Sequence, residues 1–171
     1  MFYVMFSDAK NALLLFLLPT YLKPTGKPQQ SIATAQNNFI LYTSNVAKLQ
    51  ISGDHPPCLI ILVENDDEAT EGDKEKIVQI IAYFDGNKYI CSTIIEALGA
   101  VYKFYWLFGI SYPKSTNNTW MVIQKYFYKM SYAGESQSPN SAKLLSALYS
   151  GLQEDEEELS AMNLDKTLEN N

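Results

Sequence analysis

Arginine is absent from all 171 residues; every strong base is one of 13 lysines. The planar guanidinium fork that grips phosphate or guanine in two-point contacts is therefore missing throughout. One histidine and two cysteines leave too few ligands for an ordinary Cys/His zinc site. Charged residues make up 19% of the chain, below the roughly 25% usual for globular proteins. Long hydrophobic runs are also lacking. The longest near the start, residues 12–18, is far short of the ~20 apolar residues that span a bilayer. Asp8 breaks the segment before it, and Pro19, Thr20 and Tyr21 follow instead of a small-x-small cleavage site. No signal peptide is expected, so Cys58 and Cys91 are read as reduced thiols of a soluble intracellular chain, in which the sequon Asn117-Asn118-Thr119 carries no meaning.

Aromatics are plentiful: 12 tyrosines, eight phenylalanines and two tryptophans exclude wholesale disorder. The net charge of −6 is unevenly spread. Residues 1–53 and 77–151 each carry +3, whereas 54–76 and 152–171 each carry −6. Length and composition imply one α+β domain over residues 1–151, with 64–75 as an acidic loop and 152–171 as an acidic mobile tail.

The pattern predicts a short helix from Ser7 or Asp8 to Leu18, closed by Pro19, and a loop over 19–30. Ser31 then caps a helix whose stripe is Ile32, Ala35, Phe39, Tyr42, Val46 and Leu49. The run Cys58-Leu-Ile-Ile-Leu-Val63 predicts a strand buried on both faces. Lys76–Phe84, the turn Asp85-Gly86 and Lys88–Cys91 predict a hairpin. Thr93 and Glu96 form a capping box for a helix to Phe108, apolar nearly all round and so placed in the centre of the fold, with Gly109 as its stop. A further helix starts near Asn118 with Trp120, Ile123, Phe127 and Met130 inward, and a weaker one runs from Ser138-Pro139 to Tyr149. The expected architecture is N-terminal helices, a small sheet of two or three strands with one hairpin, and two or three packed C-terminal helices.

The succession Pro57-Cys58, Phe84-Asp85, Ala97, Tyr102-Lys103-Phe104, Tyr112-Pro113, Trp120, Ile123-Gln124-Lys125 and Tyr128 resembles the C-terminal module of a group of uncharacterised animal proteins. Some longer members carry a sterile alpha motif domain upstream. The resemblance covers residues 8–130 and departs at the acidic insertion after Val63. It implies no activity, cofactor or catalytic residue, and this chain shows no sterile alpha motif domain of its own.

Candidate chemistry is sparse. His55 and Cys58 are the one imidazole–thiol pair close in sequence, but positions three apart on a strand face opposite sides. Glu64, Asp66, Glu68, Thr70 and Glu75 imitate a calcium loop, yet Ala69 stands where that loop needs glycine. No catalytic, cofactor or metal residue is assigned. Tyr112, Pro113, Lys125, Tyr126, Tyr128 and Lys129 form the candidate interaction surface, because one neighbouring helix cannot cover two consecutive apolar triplets, 120–122 and 126–128. The expected role is a non-enzymatic protein-interaction or scaffolding module with an unknown protein partner and no membrane association. Nucleic-acid binding through lysines beside aromatics, and an enzyme with no recognisable site, are the alternatives.

Overall fold

The computed structural model describes residues 8–24, 30–45, 49, 51, 54–65, 75–132, 134, 135, 137–151 and 153. The acidic segment 66–74, with most of the calcium-like ligands, and the tail from 154 onward lie outside them. The chain forms two compact units, Met1–Trp120 and Met121–Asn171.

The first unit is α+β. Helices α1 (Asp8–Tyr21) and α2 (Ile32–Asn37) precede strands β1 (Ile40–Thr43), β2 (Cys58–Asn65), β3 (Glu75–Phe84) and β4 (Asn87–Cys91), followed by α3 (Ile94–Leu107). Helix α4 (Asn117–Phe127) starts in this unit and continues into the next.

The sheet has four strands, not two or three, in the order β1-β2-β3-β4. The additional strand lies where a helix over 31–49 was expected. Ser31 does cap α2, its hydroxyl accepting from the Thr34 amide at 3.0 Å, but the helix ends at Asn37. Phe39, Ile40, Tyr42 and Thr43 are aromatic or β-branched and have lower helix propensity. Parallel pairing of Ile40 with Leu59 through Thr43 with Leu62 satisfies their backbone groups instead. Helix α1 also runs further than expected, through Pro19 to Tyr21. Pro19 falls in its last turn, where the lost ladder bond is a single one, and Leu22 still donates to Leu18 at 2.8 Å.

Strand β2 is central and buried on both faces, with Cys58, Leu59, Ile60 and Ile61 wholly inaccessible. Cys58, Ile60, Ile81 and Tyr83 form the core on one face, against which Leu41, Leu49 and Ile51 pack. The Asp85-Gly86 turn has φ 47° and 79°, as a two-residue hairpin of the I′ type demands.

Helix α3 is fixed at both ends. The Glu96 amide donates to the Thr93 hydroxyl at 3.1 Å, the Glu96 carboxylate accepts from the Ser92 amide at 2.7 Å, and Asp8 accepts from the Ile94 amide at 3.1 Å. At the other end Gly109, with φ 61°, lets Ile110 donate back to Tyr105 at 2.9 Å. The helix is not central. Ile94, Ala97, Leu98, Val101, Tyr102 and Tyr105 are buried, while Trp106, Leu107 and Phe108 are exposed. A sheet covers one side of a helix, and no described element hides the other side of its last turn. Trp120, with no accessible surface, meets Tyr105 at 5.0 Å and Phe39 at 5.1 Å between ring centroids.

The second unit contains the end of α4 and a helix over 139–151, α5. Ser138 caps α5, its hydroxyl accepting from the Ser141 amide at 3.2 Å. Ile123 is buried as expected, but Phe127 is exposed. The Tyr149 hydroxyl donates to the Lys125 carbonyl at 2.8 Å, holding α5 against the end of α4.

Candidate functional site

Antiparallel pairing sets Ala82 opposite Tyr89, so Phe84, two residues on from Ala82, shares a sheet face with Tyr89. Helix α3 crosses that face. The Phe84 ring stacks on Phe104 at 5.4 Å and on Phe108 at 4.9 Å, each with 25° between planes. Tyr89 tilts against Phe104 at 5.2 Å. Four rings thus form one cluster at the open edge of the sheet, and much of it faces solvent. Tyr89 is 47% exposed, Phe108 60% and the neighbouring Leu107 73%. The Gly109 stop matters here: by ending α3 within one residue of Phe108, it holds that ring on Phe84. Lys88 on β4, Lys103 on α3 and Asp85 at the turn are exposed, and by alternation Lys88 faces the side of the sheet away from Tyr89. Glu96 already serves the Ser92 amide.

The residues proposed from sequence lie elsewhere. Tyr112 stacks on Trp120 at 5.9 Å and meets Tyr105 edge-on at 5.0 Å, so it buttresses the core of the first unit. Pro113 follows it in a turn, its carbonyl accepting from the Thr116 amide at 2.9 Å. Lys125, Tyr126, Tyr128 and Lys129 belong to the second unit, where the structure brings Lys125, Tyr126 and Lys129 together with Tyr149, which sequence reasoning missed. Lys125 lies 3.5 Å from Glu135, whose other oxygen accepts from Gln124 at 2.7 Å. Lys129 takes a left-handed φ of 54° and sets its ammonium 4.9 Å from the Tyr126 ring and 4.6 Å from Tyr149. That charge is used within the fold. Burial pushes the Tyr128 phenol up.

No pair is set up for nucleophilic catalysis between His55 and Cys58. The imidazole Nδ1–H donates to the Pro56 carbonyl at 2.8 Å. Burial pushes the Cys58 thiol up to about 12, so it stays protonated at neutral pH. A cleft of about 800 Å³ opens beside α1 and β1, lined by Leu13, Phe16 and Ile40 with polar Asn37, Thr43 and Ser44. None of its described lining residues is a carboxylate, lysine, histidine or cysteine, so these side chains supply no acid–base pair. Among the described residues no three His, Cys, Asp or Glu side chains converge to hold a metal ion, and no helix is long and apolar enough to cross a membrane.

No family model, curated protein or solved structure matches the chain.

Proposed function

We propose that the chain is a protein-interaction module whose contact surface is the cluster of Phe84, Tyr89, Phe104 and Phe108 with Leu107 at its margin. One observation carries this reading: aromatic rings stacked into a rigid platform, left facing water at the edge of a well-buried sheet. Aromatic residues contribute most to interface hot spots, and a ring already held by its neighbours loses little conformational entropy when a partner covers it. Helix α1 also exposes Leu13, Leu14 and Leu17. Leucine is under-represented among hot spots, so the aromatic surface is the stronger candidate.

The test is affinity capture from cell lysate with the full chain and with Leu107→Glu, a substitution at a side chain that is mostly in water. Partners that survive nuclease treatment, and that the variant loses at an unchanged melting temperature, support the reading. Equal capture by both chains overturns it. Loss of all captured protein on nuclease treatment identifies a nucleic-acid binder instead.

A further inference from the structure

The second unit holds a small cleft of about 330 Å³, lined by Lys125, Lys129, Ser131, Gln137, Leu145 and Tyr149. The bond from the Tyr149 hydroxyl to the Lys125 carbonyl, 2.8 Å, sets the end of α5 beside both lysines. Lys125 has a carboxylate partner in Glu135 at 3.5 Å, whereas no described carboxylate pairs with Lys129. The Tyr126 and Tyr149 rings hold the Lys129 ammonium at 4.9 and 4.6 Å, but a ring face accepts no ordinary hydrogen bond. Three N–H donors on a fixed cation, with the Ser131 hydroxyl and Gln137 amide lining the same cleft, are complementary to carboxylate oxygens.

The chain carries such oxygens next to the cleft. The described part of α5 ends at Gln153, four residues beyond Tyr149, and Glu154-Asp155-Glu156-Glu157-Glu158 follow at once. Four helical residues rise about 6 Å, and three extended ones span about 10 Å, so these acids reach back to the lysines. The charges match: residues 121–153 carry three lysines and one glutamate, and residues 154–171 carry seven acids and one lysine. Acids just beyond a helix C-terminus are also repelled by its dipole, which favours turning them back. We infer that the acidic segment 154–158 of the same chain docks on this cleft, with carboxylates on Lys129 and Lys125, and masks it from other anions. Tethering supplies those carboxylates at an effective concentration of about millimolar, so a weak site is filled at low salt and released as salt screens the charges. The aromatic platform lies in the first unit, so this inference stands apart from the interaction reading.

The experiment compares the full chain with one whose five tail acids are neutralised, E154Q, D155N, E156Q, E157Q and E158Q. The control neutralises five acids of the other acidic run, D66N, D67N, E68Q, E71Q and D73N. In proton–nitrogen NMR spectra at low salt, the tail variant is expected to move the Ser131 and Gln137 amides, which lie far from residue 154 in sequence. Salt at about 0.5 M is expected to move the parent's signals to the same positions. The control is expected to leave them in place. Heparin, the anionic probe, is expected to bind the tail variant about threefold or more tighter than the control, as it does when the site is two-thirds masked or more. Adding Lys129→Gln to the tail variant is expected to cancel that gain at an unchanged melting temperature. Unmoved amides, or amides that the control moves equally, overturn docking. Equal heparin affinity in the two variants, or a gain that survives Lys129→Gln, overturns masking by this cleft. If Lys129→Gln lowers the melting temperature, the salt and control comparisons decide. Shifts that grow with protein concentration assign the tail to a second copy and overturn the intramolecular contact.

Discussion

Trp120 touches rings from three parts of the first unit: Phe39 before β1, Tyr105 on α3 and Tyr112 in the loop after it. Removing it leaves a cavity that rigid aromatic neighbours cannot collapse to fill. Trp120→Ala is therefore expected to cost about 3–5 kcal/mol, seen as a large fall in melting temperature; a change of a degree or two contradicts the packing described. The two thiols separate by burial. Cys58 is inaccessible, whereas Cys91 on β4 is only partly covered and burial raises its thiol too. A disulfide-exchange reagent at neutral pH is expected to titrate Cys91 first and Cys58 only after unfolding. For Cys58 the folded thiol holds its proton to about 12, against 9.0 without burial. The unfolded chain thus loses that proton first. Its contribution to stability is complete below pH 9 and is lost as pH rises toward 12, so a Cys58→Ser chain is expected to lose less stability between pH 9 and 12 than the parent, measured by chemical denaturation across that range. Both roles were legible from sequence: a large aromatic at helical spacing, and a thiol opening an apolar strand.

At the scale of elements, local chemistry was legible and remote pairing was not. The hairpin turn, the capping box of α3 and its C-terminal stop depend on residues adjacent in sequence, and Asp85-Gly86, Thr93, Glu96 and Gly109 stand where the sequence put them. Thr93→Ala is expected to cost about 1 kcal/mol, measured by chemical denaturation, because the Glu96 amide loses its acceptor. An effect near zero implies that the Asp8 carboxylate, which accepts from the Ile94 amide, fixes that helix end without Thr93. Strand β1 was hidden because Ile32, Ala35, Phe39 and Tyr42 fit a helical stripe. What decides against the helix is a partner some twenty residues later, in the parallel pairing with β2. Likewise the exposure of Leu107 and Phe108 depends on how much of α3 the sheet covers, which periodicity does not report.

For the whole molecule, the sequence signalled aromatic surface around Tyr112 and residues 120–128, and the structure exposes further rings at Tyr89 and Phe108. Tyr112, Lys125 and Lys129 contact Trp120, Glu135, Tyr126 and Tyr149, residues that meet them only after folding. The rings left over collect where β4 ends the sheet and α3 stops. That this platform is a binding surface is tested most directly by photo-crosslinking in living cells, with benzoylphenylalanine placed at position 108 and, as control, at the exposed Lys10 on α1. A discrete higher-mass product from position 108, absent from position 10, is the expected result; no product from position 108, or the same smear from both, contradicts the account.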